Sequence, residues 1–376
     1  MSELSYMEKL LYGIEVEWKE LGDVAAYEQP TKYLVKSKNY NDDYSTPVLT
    51  AGKTFILGYT NETEGIYKAS ESPVIIFDDF TTANKWVDFD FKAKSSAMKM
   101  ITSTDESKFL LKYIYYYLNS LPSQDIAVDH KRQWISTFSK ISIAIPPLDV
   151  QTEIVRILDT FTELTAELTA ELTARQQQYA YYRDQLLTFE EGEVEWKTLE
   201  EVAVIGTGSH NTQDALEEGE YVFYARGREP LRLNTFDFDE TAIITAGDGA
   251  GVGKVFHYAQ GKYALHQRAY RIVPKENVEP RFVYHYILEY FHRYIHQVSV
   301  NSSVTSLRRP MLLNFPIQVP SLTEQKRIVS ILDKFDALTT SLTEGLPREI
   351  ELRQQQYEYY RDLLLSFPKP EVVAHD

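Results

Sequence analysis

One stretch of sequence occurs twice and decides the fold. It reads RQQQYAYYRDQLLTF at residues 175–189 and RQQQYEYYRDLLLSF at residues 353–367, with 12 of 15 positions identical. The tripeptide Glu-Trp-Lys recurs at the same spacing, at residues 17–19 and 195–197. Self-similarity at a fixed spacing is the mark of a duplicated structural unit. The chain is therefore predicted to be an internal duplication.

A third repeated pair shows the order of the parts. Ile145-Pro146 and Val319-Pro320 are each followed, at matching positions, by Gln, by Ile-Val and by Leu-Asp. The order is thus a Glu-Trp-Lys start, a variable segment, a proline and a helix, and then the same again. This predicts five segments: an N-terminal repeat piece (1–21), a first variable domain (22–145), a central repeat with a long helix (146–199), a second variable domain (200–318) and a C-terminal repeat with a second long helix (319–376).

The repeated regions carry a coiled-coil pattern. Beginning at Ile154, apolar side chains follow steps of four and three residues through Leu158 and Phe161 as far as Leu186, which is a heptad seam. A helix of about 40 residues spans roughly 60 Å, more than a small domain needs for its own core. The second copy contains Gly345 and Pro347, and proline interrupts a helix. We expect the two helices to pair in antiparallel fashion, related by a pseudo-two-fold axis, with a break in the second.

The two variable segments resemble each other little. Each mixes apolar strand-like runs, such as PVIIF at residues 73–77 and TAIIT at 241–245, with glycine-containing turns. Each also has a late tyrosine-rich stretch, at 112–117 and 281–286. Its tyrosines could stack on bases, but on a helix they are predicted to lie in the core. The predicted fold class is α+β: two α/β domains separated by two long antiparallel helices forming a coiled coil.

Composition agrees with a two-domain cytosolic protein. The chain has 376 residues, of which 43% are hydrophobic, enough for two domains of ordinary size. It contains no cysteine, which excludes disulfides and thiolate chemistry. The first residues have no basic segment followed by an apolar one. We expect a soluble, cytoplasmic protein.

The distribution of charge is more informative than the net charge of −16. Residues 146–250 hold 22 acidic and 7 basic side chains, whereas residues 251–318 hold 9 basic, 3 acidic and five of the eight histidines. Residues 92–140 hold 8 basic and 4 acidic side chains. Phosphate binding requires Lys and Arg, so the two locally basic segments are candidate nucleic-acid contacts within an acidic frame.

A tandem tetrapeptide lies within the first long helix. Residues 164–174 read LTAELTAELTA. Four helical residues add about 6 Å and about 400° of rotation, a net turn of about 40°, close to the roughly 35° between successive base pairs of B-DNA. Such a repeat can adjust a spacing along DNA, although the same tetrapeptide is also simply a good amphipathic helix sequence.

These features together resemble the specificity subunit of Type I restriction-modification enzymes, in particular the IC-like subfamily. The resemblance rests on the LTAE repeats, the QQQYxYYRD boxes and the Glu-Trp-Lys starts, and it covers essentially the whole chain. Residues 27–35 and 92–100 also resemble an N-terminal target recognition domain of that subfamily, while the second variable segment matches only the general family pattern.

The resemblance implies a function for each part. The variable segments would be target recognition domains, each reading one half of an asymmetric bipartite site in double-stranded DNA, and the helices would set the spacer. Two modification subunits, which carry S-adenosylmethionine and methylate adenine N6, would dock on the duplicated regions. Two restriction subunits using ATP and Mg would complete the complex. This chain itself would carry no cofactor, no metal and no catalytic residue.

Candidate DNA contacts are polar or cationic residues near turns within the basic segments, because base-edge contacts specify a sequence and phosphate contacts position the protein. In the first domain they are Lys53, Thr54, Tyr59, Asn61, Lys92, Lys94, Ser95, Lys99, His130, Lys131 and Arg132. In the second domain they are Arg226, Arg228, Lys254, His266, Gln267, Arg268, Asn301, Ser302, Ser303, Thr305, Arg308 and Arg309.

Three motifs suggest catalysis but fail on inspection. The stretch GDGAGVGK at 247–254 lacks the first glycine and the final Ser/Thr of a phosphate loop, so it is predicted to be a turn. His292 and His296 share a helical face but lack the glutamate of a zinc protease. The Glu-x-Lys of 17–19 and 195–197 superficially resembles a nuclease element, yet its duplication indicates a structural role. No adenine methyltransferase box of the Asn-Pro-Pro-Tyr or Asp-Pro-Pro-Tyr type is present.

Two other classes of function stay open on the sequence alone. One is a protein scaffold whose paired domains bind peptides, with the acidic frame repelling DNA. The other is a self-contained nuclease or methylase, which the missing methylase box disfavours. Binding to duplex DNA that weakens as salt rises would separate the first of these from a DNA reader.

Overall fold

A computed structural model describes residues 10–52, 54–121, 133–190, 192–298, 306–341 and 343–368. The chain divides into two compact units. Unit 1 comprises Met1–Glu167 and Ile350–Asp376, and unit 2 comprises Leu168–Glu349. Both boundaries fall inside long helices, so each unit is built from one variable segment and from parts of both repeats.

The first 187 residues contain nine strands and four helices within the described ranges. The strands are β1 (Glu17–Glu20), β2 (Ala25–Glu28), β3 (Thr46–Leu49), β4 (Ile56–Thr60), β5 (Val74–Asp78), β6 (Asn84–Val87), β7 (Lys92–Ala93), β8 (Met98–Ser103) and β9 (Ser142–Ile145). The helices are α1 (Leu21–Val24), α2 (Leu111–Ser120), α3 (Gln133–Ser136) and α4 (Leu148–Leu187). The strands form a four-stranded sheet in the order β2-β8-β5-β6, a three-stranded sheet in the order β4-β3-β7, and the pair β1-β9.

The remaining elements follow α4. The strands are β10 (Trp196–Thr198), β11 (Ala203–Thr207), β12 (Tyr221–Tyr224), β13 (Leu231–Leu233), β14 (Phe238–Ala246), β15 (Phe256–Leu265), β16 (Ala269–Pro274) and β17 (Pro316–Gln318). The helices are α5 (Leu199–Val202), α6 (Pro280–Val298), α7 (Arg309–Leu313), α8 (Leu322–Thr340) and α9 (Leu346–Leu364). One six-stranded sheet has the order β11-β16-β14-β15-β12-β13, and β10 pairs with β17.

The duplicated start of each module forms the same structure in both units. The Glu-Trp-Lys strand pairs in antiparallel fashion with the strand that precedes the repeated proline. Trp18 lies opposite Ala144 in unit 1, and Trp196 lies opposite Gln318, the equivalent position, in unit 2. The prediction of a structural role for Glu-Trp-Lys is confirmed, because the motif anchors the two ends of each variable segment to one another.

The first long helix has the predicted length, and the second has the predicted break. Helix α4 is a single helix of 40 residues. Its counterpart is divided into α8 and α9, between which Gly345 adopts a φ of +83° and is followed by Pro347. A Cβ on Gly345 would lie 2.4 Å from the Ala337 carbonyl oxygen, so only glycine permits this turn between the two helices. The helical repeat is therefore present twice but continuous only once.

Each unit packs a different part of the helical repeat into its core. In unit 1 the ring of Phe161 stacks on that of Tyr360, with centroids 5.3 Å apart. In unit 2 Tyr179 and Tyr182 both stack on Phe335, at 5.9 and 5.7 Å. The N-terminal part of α4 thus meets the last helix and its C-terminal part meets α8, as an antiparallel pairing requires.

The tyrosine-rich stretches lie on helices α2 and α6. Tyr113 and Tyr116 in α2 and Tyr286 in α6 are buried in the cores of their units. The prediction that these tyrosines serve packing is confirmed. Among the described residues, no helix is long and apolar enough to cross a membrane.

Candidate nucleic-acid interface

Three loops of unit 2 meet at one edge of the six-stranded sheet. β14 ends at Ala246 directly opposite Ala269, where β16 begins. β12 runs parallel to β15, and Tyr224 lies opposite Leu265 at their common end. The segments that follow β12, β14 and β15 therefore emerge side by side. The backbone N–H of Leu307 donates to the carbonyl of Gly247 at 2.8 Å, which adds a fourth segment to this edge.

This edge gathers most of the described residues that were predicted for the second domain. They come from segments up to 82 residues apart in sequence: Arg226, Arg228, Lys254, His266, Gln267, Arg268 and Arg308. Three of these cations line a cavity of about 600 Å³ whose floor is the glycine-rich turn of residues 247–255. A concave surface of this kind with several cations suits a polyanion.

Asp248 organises two of the arginines. Its carboxylate accepts hydrogen bonds from Arg226 at 2.8 Å and from Arg268 at 2.9 Å. Burial alone would raise the pKa of Asp248, but the two arginines together hold it below its usual value. The Arg268 side chain is still 65% exposed and that of Arg226 is 40% exposed. Because a guanidinium has five N–H donors, each arginine is oriented while keeping donors free for a ligand.

His266 stabilises the backbone that carries Arg268. It is buried, and its Nδ1 accepts a 2.9 Å hydrogen bond from the backbone N–H of Arg268. Burial and the neighbouring Arg226 lower the pKa of His266, which keeps the imidazole neutral and able to accept. The predicted DNA contact of His266 does not fit this position, because the ring faces the turn rather than solvent. Gln267 beside it is exposed and donates to Asn211.

Arg309 lies apart from this edge. It is exposed at the start of α7, and its guanidinium donates to the carbonyl of Ile205 in β11 at 3.1 Å. Since β11 is an edge strand of the sheet and Ile205 pairs with Ile272 near the middle of β16, this arginine lies against the β11 edge rather than beside the arginine pair.

Unit 1 presents a different and smaller edge. β3 and β7 are parallel, so their carboxyl ends lie together, and the backbone N–H of Lys94 donates to the carbonyl of Leu49 at 2.9 Å. The predicted residues Thr54, Lys94 and Ser95 follow these two ends. The Lys94 ammonium donates to the hydroxyl of Tyr40 at 2.9 Å and lies 5.4 Å from the centre of its ring.

Lys92 and Lys99 require a correction. The Lys92 side chain is 2% exposed, lies 2.9 Å from the Glu62 carboxylate and donates to the Glu64 carbonyl. The Lys99 side chain is 1% exposed and lies 3.6 Å from Asp79. Consecutive residues are buried in both strands, so both faces of β7 and of the first part of β8 are covered. A buried ammonium group needs a carboxylate partner. The burial of both lysines does not fit the predicted DNA contact.

The two remaining predicted residues of unit 1 lie at the opposite end of β4. Tyr59 is half-buried within the strand and pairs with Pro47, and Asn61 is exposed immediately after it. Because β4 is antiparallel to β3, both lie at the end of β4 opposite Thr54. Tyr40 lies between this group and Lys94, since the backbone N–H of Asn41 donates to the Tyr59 carbonyl at 3.2 Å and the Tyr40 hydroxyl accepts from Lys94.

Some predicted residues lie outside the described part of the chain. They are Lys53, His130, Lys131, Arg132, Asn301, Ser302, Ser303 and Thr305.

Sequence reasoning missed three residues of these edges. Asp248 was considered only as part of a failed phosphate loop, yet an acidic residue inside a glycine-rich turn of a basic segment was the available signal. Tyr40 lies against Lys94, 54 residues away. Lys85 of β6 is exposed with its ammonium 5.0 Å from the ring of Phe55 in the β3–β4 loop. No local pattern pointed to either of these contacts.

The catalytic motifs have structural explanations. Residues 247–255 connect two antiparallel strands, and no helix follows them, so the prediction of a turn is confirmed. His292 and His296 are exposed, with ring centroids 4.5 Å apart. Glu17 and Lys19 form an ion pair at 2.8 Å within β1. Within the described ranges, no group of three His, Asp or Glu side chains could hold a metal ion.

Comparison with known proteins identifies the repeated architecture. A family model described as the Type I restriction modification DNA specificity domain matches this chain twice, over residues 14–175 and 191–352. The chain belongs to this family. It has a DNA sequence-recognition role, as a non-catalytic specificity subunit with two target recognition domains.

Curated relatives of the family match along the whole chain. The chain is 54% identical to the Type I restriction enzyme EcoR124I/EcoR124II specificity subunit of Escherichia coli, covering 100% of both chains. It is 31% identical to a putative type I restriction enzyme specificity subunit of Haemophilus influenzae, over 96% of this chain and 98% of that one.

The fold is also similar to a solved structure. The S subunit of a Type I restriction-modification system from M. genitalium matches with a TM-score of 0.71 and 16% identity, over 97% of this chain and 100% of that one. Two specificity domains in tandem with a long helix between them are therefore the family architecture.

Proposed function

We propose that each unit of this chain reads one half of an asymmetric, interrupted DNA site. The observation that carries the proposal is the difference between the two sheet edges on equivalent frames. Unit 2 offers Arg226 and Arg268 oriented by Asp248, whereas unit 1 offers Lys94 and Thr54 beside a hairpin loop. Two unlike polar surfaces read two unlike base sequences. The domain boundaries proposed for the readers are 22–145 and 200–318.

The proposed DNA contacts are those predicted residues whose side chains remain accessible, together with the missed Lys85. The two arginines held by Asp248 would read base edges, since bidentate arginine–guanine contacts are the commonest specific contacts in the major groove. Arg228, Lys254, Arg308 and Lys94 would contact phosphates.

Helix α4 would act as the spacer. It runs without interruption for 40 residues and carries the LTAE repeats at residues 164–174. Its length would set the number of base pairs between the two half-sites.

The partners follow from the repeated frame. Because the same structure occurs in both units, two copies of one partner would bind, and we propose that these are modification subunits that use S-adenosylmethionine to methylate adenine N6. Two restriction subunits, which need ATP and Mg, would join the complex in the cytoplasm. One duplicated feature supports an identical partner: Tyr181 and Tyr359 are 61% and 64% exposed at the same place in the repeated box.

The test is methylation-aware sequencing of DNA from cells that co-express this chain with its modification subunit. We expect one asymmetric, interrupted motif with N6-methyladenine in both halves. Cells that contain the modification subunit alone are the control and should lack this motif. Absent methylation, or methylation scattered over unrelated sequences, would contradict the proposal.

A further inference from the structure

Unit 1 contains a cleft between its Glu-Trp-Lys strand and the start of α4. Its volume is about 890 Å³. One side is formed by Glu15, Val16, Glu17 and Lys19, which lead into β1. The opposite side includes the segment Ile145–Leu148, at the end of β9. Leu148 is 38% exposed there, so the cleft has apolar walls that this chain does not cover.

Unit 2 contains a second cleft in the same position. Its volume is about 680 Å³. One side is formed by Glu193, Val194, Glu195 and Lys197, and the opposite side includes the segment Val319–Ser321.

The two clefts share their duplicated walls and differ in the rest of their lining, which includes Asp105, Lys108 and Phe109 in unit 1 and Phe189 and Glu324 in unit 2. The sequence Glu-Val-Glu-Trp-Lys occurs at residues 15–19 and again at 193–197, and each faces an aliphatic residue followed by proline. Burial also matches: both first glutamates are exposed, both valines are half-buried and both lysines are half-buried. The strand pairing beneath them has the same register.

Folding does not require that the exposed residues around the two clefts be identical. Glu15 and Glu17 in unit 1, and Glu193 and Glu195 in unit 2, are exposed, and exposed positions tolerate substitution with little change in stability. The intervening readers differ almost throughout. Identical exposed side chains around two equivalent clefts are what binding to two copies of the same partner requires.

The lining indicates the chemistry of the occupant. The valine and the aliphatic-proline pair provide an apolar floor. Two glutamates and one lysine recur at the rim of each cleft, so the shared rim carries a net negative charge. Glu17 lies 2.8 Å from Lys19, and the hydrogen bond and charge of that lysine hold the pKa of Glu17 below its usual value. A segment with an apolar side chain flanked by lysine or arginine is complementary to both features.

We infer that these two clefts are the docking sites for the two modification subunits, each receiving an apolar segment with flanking basic residues. This inference rests on the proposed function. It goes beyond that function by locating a contact at the junction of reader and frame, in addition to the exposed tyrosines of the helices.

Charge reversal in one cleft at a time tests the inference. One variant carries Glu15→Lys and Glu17→Lys, a second carries Glu193→Lys and Glu195→Lys, and a third carries all four substitutions. Native mass spectrometry of the purified complexes counts the modification subunits bound to each chain. We expect two copies for the wild type, one for each single-cleft variant and none for the four-fold variant, because like charges at an interface are strongly unfavourable.

Matched control variants show whether an effect depends on the cleft or only on the change in net charge. Glu64→Lys with Glu71→Lys in unit 1, and Glu217→Lys with Glu218→Lys in unit 2, make the same change in charge at exposed sites outside the clefts. These variants should retain two copies. Circular dichroism of each free chain should match the wild type, which shows that the substitutions leave the fold intact.

The outcomes distinguish this inference from the proposed function. If the four-fold variant still binds two copies and the wild type writes an interrupted motif, the cleft assignment is wrong and the proposed function stands. If the controls lose the partner as readily as the cleft variants, general charge and not the clefts governs docking. If the wild type recruits no modification subunit, both proposals fail.

Discussion

The side-chain oxygen of Gln151 accepts a hydrogen bond of 2.9 Å from the backbone N–H of Leu110, where α2 begins. Its amide nitrogen donates to the carbonyl of Pro146 at 2.8 Å. Gln325 makes the same two contacts in unit 2, accepting from Glu279 and donating to Pro320, both at 2.8 Å. Both glutamines are buried. The same amide thus joins the frame helix to the reader helix in each unit, whatever the reader's sequence.

We expect Gln151→Leu to lower the free energy of unfolding of unit 1 by about 1–3 kcal/mol, because it leaves a buried N–H and a buried carbonyl without partners. Chemical denaturation followed by tyrosine and tryptophan fluorescence measures the change. Gln354→Leu, at an exposed position of α9 in the same unit, is the control and should change stability by less than about 0.5 kcal/mol. Equal effects of the two substitutions would contradict a role for the buried amide.

Asp333 predicts a pH dependence in unit 2. Its carboxylate accepts from His285 at 2.8 Å and from Arg281 at 2.7 Å. Burial alone would raise the pKa of Asp333, but these two partners hold it below its usual value. A carboxyl with a lowered pKa in the folded state stabilises the protein above about pH 4, and that contribution is lost as the pH falls through the folded pKa.

The matching experiment is urea denaturation of Asp333→Asn between pH 7 and pH 3. At pH 7 the variant should be less stable than the wild type by about 1 kcal/mol, a modest value because the carboxylate is partly exposed. The difference should shrink as the pH falls below about 4. A difference that stays constant over this range would show that the carboxylate charge is not responsible.

The arginine pair of unit 2 predicts a change in specificity confined to one half-site. Asp248→Asn removes the charge that orients Arg226 and Arg268, so bases that those arginines read should be accepted less strictly, with a loss of about 1–3 kcal/mol in discrimination. Methylation-aware sequencing should show one relaxed half-site and one unchanged half-site. Asp239→Asn makes the same charge change at an exposed position of β14 and should leave both halves unaltered. Relaxation of both half-sites by Asp248→Asn would refute the assignment.

Lys92 and Lys94 of unit 1 should have different roles, because one is buried and the other lies at the candidate interface. Lys92→Met should destabilise the fold by about 2 kcal/mol, because it removes the partner of the largely buried Glu62, yet leave the salt dependence of DNA binding unchanged. Lys94→Met should instead reduce the slope of log affinity against log salt by about one unit, as expected for one lost phosphate contact. Titrations of duplex DNA at several salt concentrations measure both slopes. If Lys92→Met also reduced the slope of log affinity against log salt, Lys92 would be a DNA contact after all.

The helical repeat predicts a change in spacing without a change in sequence. Deleting one LTAE unit, residues 168–171, shortens α4 by about 6 Å and leaves a net rotation of about 40°, so the spacer of the methylated motif should lose one base pair. Sequencing should find both half-sites intact. Glu167→Gln, which keeps the helix length, is the control and should leave the spacer as it was. An altered half-site would contradict a role as a ruler.

Repetition and periodicity made the frame predictable from the sequence. The heptad seam through Ile154 and Leu158 predicted α4, both of these residues are fully buried, and the helix has the expected 40 residues. Gly345 and Pro347 predicted the break in its counterpart. The sequence predicts these features because helix periodicity and backbone restrictions are local properties, which depend on a few neighbouring residues.

Only the tertiary structure decided which cations are available at the candidate interface. Lys92, Lys94 and Lys99 are close in sequence and chemically alike, but strand direction and the positions of Glu62 and Asp79 bury two of them. Arg226 and Arg268 lie 42 residues apart and meet only because Asp248, from a third segment, accepts from both. Such contacts depend on strand order in the sheet, which no local pattern encodes. The sequence by itself determined the duplicated frame, the unlike readers and the family, whereas the register of the strands determined which side chains the readers present.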